Sequence, residues 1–521
     1  MGFGGILYLV KVGLLYITLP SDTEFDNFKE GEICFYANRD FVLDKYTKPT
    51  FCGLPTAAEL RASLDAGENS DVRVHLASIF DDKTFVETSA FAKRGFSDFI
   101  ATERTNEFEG VITGYGAVDG KLVFAFAEDA SRMGGAIDER HAKKITDLYK
   151  LAIENGAPVI GIFNSNGTDI FEGTVGLAAY GRIMAAVTKA SGVVPQIAFI
   201  TGKCIGTSAA IAAMFDVVIK NSEATLYVSS PALTGVEGSQ DAIVSFEADA
   251  AQCAGYIRSL VSYLPSNSSL GIQCAEICTD NLNRQLGNLD FGGEALAAVS
   301  VIADNGVFYE LSHNFAPEAS TAFVTIGGVK CGIVATSFSK NEGRISSAVA
   351  RKVAKFVNFC DSFSIPVVTV VDSLGLAIDK ENENAFAPEL AKLAMSYASS
   401  SCPKVTVLNG HAIGAAFVLL GSKSLGADIV YAVDNSEIGA LVAESAVAFA
   451  WDKYITEEKT REDLIAEWKG SVSSPAYAAA SGEIDDIISI NEMRVRICSA
   501  LMMLSSKGNA STVANRKVLP L

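Results

Sequence analysis

The chain has 521 residues, 49% hydrophobic and 20% charged, with 44 glycines against 13 prolines. That composition excludes a disordered or collagen-like chain and, at ~150 residues per domain, implies about three folded units. Its 42 basic and 61 acidic residues leave a formal net charge of −19, which excludes a nucleic-acid binder built on a basic face.

In chain order, Met1 to Pro20 is apolar apart from Lys11. About 20 residues just reach across a bilayer, but a central lysine is costly there, and neither a basic start nor a small-residue cleavage site marks a signal peptide. The stretch reads as a surface strand or an extension ahead of the native start. Asp26 to Asn69, with Pro49, Gly53 and Pro55, reads as an irregular arm within an N-terminal segment over 1–70.

Two domains follow, 71–300 and 301–521, and the second repeats the first. Pro158-Val-Ile-Gly-Ile-Phe-Asn-Ser165 returns as Pro366-Val-Val-Thr-Val-Val-Asp-Ser373, an offset of 208 residues. At the same offset Pro195 maps on Pro403, Ile205-Gly206 on Ile413-Gly414, and the helical stripe of Lys143 to Asn155 on Arg351 to Phe363. Each copy reads as a hairpin (Gly110 to Phe126; Phe323 to Phe338), a helix, a buried strand, a loop and helix, and a second buried strand. This alternation predicts α/β layers.

The second buried strand runs into small residues, Gly202-Lys-Cys-Ile-Gly-Thr-Ser-Ala-Ala-Ile and Gly410-His-Ala-Ile-Gly-Ala-Ala-Phe. A helix opening there presents unpaired backbone N–H groups at the positive end of its dipole, the makings of an oxyanion hole. Small residues also permit close helix-to-strand packing, but their recurrence in register favours the first reading. Of the ten cysteines only Cys274 and Cys278 lie one helical turn apart, and no second Cys or His pair completes a zinc site. No metal is expected, and buried, scattered cysteines fit a reducing cytoplasm. No phosphate-binding Gly-x-x-x-x-Gly-Lys-Ser/Thr segment and no Met-Lys-Met biotin-attachment segment is present.

Met133-Gly-Gly-Ala with His141 and Lys144, Asn155-Gly-Ala-Pro-Val-Ile-Gly, Ser191-Gly-Val-Val-Pro-Gln-Ile, Phe359-Cys-Asp-Ser-Phe-Ser-Ile-Pro366, Ser436-Glu-Ile and the Pro475 to Ile488 stretch with Arg494 carry a resemblance. Over about Phe80 to Lys507 the chain resembles the carboxyltransferase subunits of biotin-dependent acyl-CoA carboxylases, transcarboxylases and decarboxylases. The resemblance implies two tandem crotonase-like β-β-α superhelical domains of α/β class. It also implies carboxyl transfer between biotin on a separate carrier protein and the α-carbon of a small acyl-CoA of propionyl or acetyl type. A biotin carboxylase or a membrane decarboxylase subunit would be the partner, and a homo-hexamer the assembly.

The family's two anion holes then fall on Gly206 and Thr207 and on Ala415 and Ala416. The substrate side falls on Gly134, Gly135, Ser165, Gly167, Lys203 and Val418, and the biotin side on Gly414, His411 and Gly375. Three departures stand out. Asn166 replaces a family glycine, Asp169 replaces an arginine and so reverses a charge near the substrate, and Val418 replaces an acidic residue tied to acyl-chain choice.

His141 reads either as part of a coenzyme A entrance or as a core residue, and Glu172 and Asp372 as strand-end residues that bind a ligand or cap a helix. Glu457 to Lys469 reads as a solvated helix or a carrier-docking surface. Two alternatives to a carboxylase subunit follow from the departures and the family's range. One is an acyl-CoA decarboxylase subunit of methylmalonyl type coupled to a membrane ion pump; the other is a degenerate scaffold subunit.

Overall fold

Central strands in this chain are unbroken apolar runs because both faces of each are covered. The computed structural model describes residues 8–10, 13–15, 56–65, 70–93, 108–235, 240, 242–270, 277–286 and 294–510. Residues 1–63 and 64–521 form separate units. In the first, Tyr8–Val10 (β1) and Gly13–Leu15 (β2) pair antiparallel. The rest of Met1 to Pro20, and Cys274, lie outside the described residues. Of the Asp26 to Asn69 arm only 56–65 is described, and there a helix, Ala57–Asp65 (α1), replaces the irregular chain expected. Among the described residues no helix is long and apolar enough to cross a membrane.

The first sheet comprises Val86–Thr88 (β3), Val111–Val118 (β4), Lys121–Glu128 (β5), Val159–Ser165 (β6), Gln196–Ile205 (β7), Val217–Asn221 (β8), Thr225–Tyr227 (β9) and Phe246–Ala248 (β10). Its order is β10-β8-β7-β6-β5-β4-β3, with β9 added beside the end of β7. The second sheet repeats the plan with Phe308–Leu311 (β11), Ala319–Ile326 (β12), Val329–Thr336 (β13), Val367–Ser373 (β14), Lys404–Ile413 (β15), Ile429–Val433 (β16), Glu437–Gly439 (β17) and Asp486–Ile488 (β18). Its order is β11-β12-β13-β14-β15-β16-β18, with β17 beside β15. Pairing is antiparallel in the hairpins β4/β5 and β12/β13 and parallel from β5 to β8 and from β13 to β16. The second hairpin starts four residues before the expected Phe323.

Helices Asp71–Ile79 (α2), Glu139–Asn155 (α3), Thr174–Ala190 (α4), Thr207–Ala213 (α5) and Ala250–Tyr263 (α6) belong to the first copy. Ser347–Ser362 (α7), Lys380–Ser399 (α8), Ala415–Leu419 (α9), Arg461–Gly470 (α10) and Met493–Met503 (α11) belong to the second. Both α3 and α7 begin a turn before the apolar stripe. Asp138 and Ser346, 208 residues apart, cap them by accepting from His141 N–H at 2.7 Å and Val349 N–H at 3.1 Å; such a cap contributes ~1 kcal/mol.

Alternation along β5 shows how the layers form: Phe124 and Phe126 enter the core beneath α3 and α4, while Ala125 and Ala127 face a second core. That second core also takes α2, α6 and α7, joining the two copies through one apolar interior. A third core lies under α11. Two lysines are buried in register: Lys144 donates to Val111 O at 2.5 Å, and Lys352 to Ser312 O and Phe315 O, both at 2.8 Å. Burial lowers each ammonium to about 8.

Candidate active site

The long strands β7 and β15 are each followed by a glycine in a backbone state that favours glycine. Gly206 has φ 62 and ψ −129, Gly414 has φ 55 and ψ −127, a region L side chains enter only under strain. From there the chain turns straight into α5 and α9. Gly206 N–H donates to Tyr227 O at 2.9 Å and Gly414 N–H to Gly439 O at 2.8 Å, so β9 and β17 fix the two turns alike.

Of the four expected donors, Gly206 gives its N–H to Tyr227 O, and Ala416 is buried. Thr207 and Ala415 are the first residues of their helices, where no earlier helical carbonyl is in reach. Among the described residues neither amide has an acceptor. Thr207 is exposed and Ala415 half-buried, and a Cβ placed on Gly206 would meet nothing within 4 Å. The geometry thus offers one open amide per copy, at equivalent positions.

Next to each turn lies the loop that leaves β6 or β14. Ser165 is buried; its Oγ donates to Gly135 O at 2.7 Å and accepts from Gly167 N–H at 3.0 Å. Ser373 likewise accepts from Gly375 N–H at 3.2 Å. Gly135 and its counterpart Gly343 have φ of 67 and 62, and a Cβ would come within 2.5 Å of Asn164 O and 2.1 Å of Asp372 O. Ser165, Gly135, Gly167 and Gly375 therefore shape the loops beside the two turns. Gly134 O accepts from Asn166 N–H at 2.9 Å.

At the open face stand two basic side chains, again in register. Lys203 donates its N–H to Asn164 Oδ1 and its Nζ to Asn166 Oδ1, both at 3.1 Å. His411 lies within β15 and donates its N–H to Asp372 Oδ1 at 2.8 Å, while its Nδ1 lies 2.9 Å from the same oxygen. Phe338 stacks on the imidazole with centroids 4.8 Å apart. The hydrogen bond to Asp372 raises the His411 pKa against the opposing effect of burial. Val418 is exposed on α9. Asp169, by contrast, is only 6% exposed.

Beneath the first copy's face lies a polar cluster of Glu109, Glu128 and His141, of which the sequence reading singled out His141 alone. Glu128, the last residue of β5, accepts from Asn164 N–H at 2.9 Å, and burial lifts its carboxyl to about 8. His141 is fully buried with Nδ1 3.8 Å from Glu109 Oε1 and Nε2 3.9 Å from Glu128 Oε1. It is a core residue, not part of an entrance. The second copy puts Thr336 where the first has Glu128, its Oγ accepting from Asp372 N–H at 2.6 Å. An acid ending an otherwise apolar strand was the available signal. Glu172 accepts from Glu139 N–H at 3.0 Å and so caps α3.

Fold and site together define a duplicated α/β enzyme with one strand-to-helix amide site in each copy. A carboxyl transferase domain matches residues 66–245 and 232–519. The chain is 32% identical to the methylmalonyl-CoA decarboxylase subunit alpha of Veillonella parvula over 84% of its length and 90% of that protein. It is 33% identical to a putative propionyl-CoA carboxylase beta chain of Bacillus subtilis, with the same coverage. A solved transcarboxylase 12S, described as a hexamer with hydrolysed methylmalonyl-coenzyme A bound, superposes with a TM-score of 0.82 at 28% identity, covering 89% of this chain and 98% of that one. The chain belongs to the carboxyl transferase domain family, has its tandem crotonase-like fold, and is a carboxyltransferase.

Proposed function

We propose that this carboxyltransferase serves a biotin-dependent acyl-CoA carboxylase in the cytoplasm, as a homo-hexamer. A small acyl-CoA of propionyl or acetyl type occupies the copy over 71–300. Biotin, attached to a separate carrier protein and served by a separate biotin carboxylase, occupies the copy over 301–521. The names of the relatives and the hexameric transcarboxylase neighbour support this reading.

The observation that carries it is the pair of open amides at Thr207 and Ala415, each next to a basic side chain. When bound, biotin supplies the ureido nitrogen that carries the carboxyl group. Thr207 N–H, with Lys203 beside it, holds negative charge on the thioester oxygen, and Ala415 N–H holds it on the ureido oxygen. Fixed dipoles aimed where charge develops lower the barrier without reorganising, and no nucleophilic side chain is needed. With each active site formed between the first copy of one subunit and the second copy of another, Val418, exposed on α9, borders the path of the acyl chain.

Proline at the first position of a helix is well tolerated and lacks only the N–H. Thr207→Pro should therefore leave the fold intact and cut carboxyl transfer by about 10²–10³-fold, the usual effect of losing one such donor. Unchanged transfer would overturn the role of Thr207. Similarity to decarboxylase alpha subunits favours a second reading, the same half-reaction run toward biotin with a membrane subunit as partner. Which partner copurifies, a biotin carboxylase or a membrane subunit, separates the two.

A further inference from the structure

Aligning the two copies by their 208-residue offset shows a difference in charge beside the two anion sites. Both have one open amide after the glycine turn, and both have a basic residue three positions before that glycine. In the first copy it is Lys203, tied to the neutral amides Asn164 and Asn166. In the second it is His411, tied to the carboxylate Asp372 by main chain and side chain at once.

We infer that His411, held by Asp372, supplies the second copy's anion site with a titratable positive charge, where the first copy has the ammonium of Lys203. Four observations support this. The Nδ1 contact at 2.9 Å and the Phe338 stack leave Nε2 as the ring's outward atom, and the side chain is 34% exposed. The Asp372 carboxylate also leaves no room for a side chain at Gly410, where a Cβ would come within 2.6 Å of it, so the pair is locked at its base. Ala415 N–H opens α9 without an acceptor four residues after His411, and Ala416 is buried, so the imidazolium adds to that donor. Finally, the surroundings favour the imidazolium: Asp372 on β14 and Glu437 on β17 stabilise it, and Lys469 on α10 opposes it. Lys469 is itself paired with Glu437 and Glu444, each at 3.1 Å. His411 thus has a pKa above its ordinary value, and its charge is present below that pKa and lost as pH rises through it.

The inference rests on the proposed assignment of biotin to the second copy. In the transfer, the bond from the acyl α-carbon to the carboxyl group breaks, a bond from that group to the ureido nitrogen forms, and the ureido proton passes to the α-carbon. His411 donates no proton in this balance; its charge pairs with the anion and is unchanged at the end.

Two measurements on the full-length protein test it. The first is the pH dependence of kcat/KM for free biotin, with malonyl-CoA or methylmalonyl-CoA saturating, in wild type, His411→Lys and His411→Gln. The second is the pH dependence of His411 carbethoxylation by diethylpyrocarbonate, read by peptide mass spectrometry, which reports the neutral imidazole without turnover. The expected result is an alkaline limb in wild type that coincides with the carbethoxylation midpoint. That limb should move up by at least one pH unit in His411→Lys and disappear in His411→Gln, with at least a tenfold loss at neutral pH. The KM for the acyl-CoA should stay within twofold throughout. In Asp372→Asn the carbethoxylation midpoint should fall.

An active wild type whose limb is unmoved in His411→Gln would overturn this inference alone. So would a wild-type carbethoxylation midpoint at or below the ordinary histidine value. A wild type inert with every acyl-CoA tried would overturn the assignment of biotin to this site, and the inference with it.

Discussion

Gly206 and Gly414, 208 residues apart, share one backbone state, φ/ψ of 62/−129 and 55/−127, and each gives its N–H to the short strand beside it. The conformation aims the following amide outward. Gly206→Val should cost ~1–3 kcal/mol through backbone strain alone, because no neighbour obstructs the new Cβ. Carboxyl transfer should fall by more than the ~10²-fold expected for one lost donor, since the Thr207 amide is displaced with it. Circular dichroism with an activity assay checks both. At Gly414 the same change also meets Ala440 O at 3.3 Å, so Gly414→Val should unfold at lower denaturant than Gly206→Val.

Arg494 is fully buried and donates to Ile302 O at 3.0 Å and Asn281 O at 2.7 Å, while pairing with Asp304 and, at 3.1 Å, with Asp280. Asp304 in turn accepts from Gly327 and Gly328 N–H, both at 2.8 Å. Removing the guanidinium leaves buried carboxylate charge uncompensated, at a cost of ~3–5 kcal/mol. Arg494→Met should lose that much in urea unfolding, and Arg494→Lys should recover only part because one ammonium cannot serve the same forked set of acceptors.

Glu128 makes a stability prediction of definite sign. Burial raises its folded-state pKa to about 8, above the ordinary carboxylate range, so between those values the folded state holds a proton the unfolded state has released. Its contribution is complete at acid pH and is lost as pH rises toward 8. Glu128→Gln keeps an acceptor for Asn164 N–H and cannot ionise. Its stability should be flatter than that of wild type between about pH 5 and 8, with the variant the more stable at pH 8. Thermal unfolding across that range checks the slope.

Asn166 and Lys203 separate an active subunit from a degenerate one. Their exposed contact at 3.1 Å is worth at most ~1 kcal/mol. In an active enzyme Asn166→Gly should therefore change kcat/KM for the acyl-CoA by less than about fivefold, whereas Lys203→Met should lower it about tenfold, ~1.4 kcal/mol, mainly through kcat. Steady-state kinetics distinguish these. Turnover appearing only in Asn166→Gly would identify the wild type as a scaffold.

The repeat made most of this architecture legible. An offset of 208 residues aligns not only the two buried strands but Asp138 with Ser346, Lys144 with Lys352, Gly135 with Gly343 and Lys203 with His411. Periodicity located α3 and α7 but not their first turns, because Asp138 and Ser346 act through caps that carry no apolar stripe. Small residues after β7 and β15 marked the turns. Which amide is open was not legible, because it depends on Tyr227 O and Gly439 O, which no local pattern links to Gly206 and Gly414. The burial of Ser165, Asp169 and His141 was not legible either, because all three are polar and no local pattern shows which neighbours cover them.

The most direct test of the account is the half-reaction itself: purified protein with malonyl-CoA or methylmalonyl-CoA and free biotin, following loss of the carboxyl group by chromatography. The account predicts decarboxylation that requires biotin and drops sharply in Gly206→Val. No turnover with any of several acyl-CoAs, together with an intact oligomer and no coenzyme A binding by calorimetry, would contradict it.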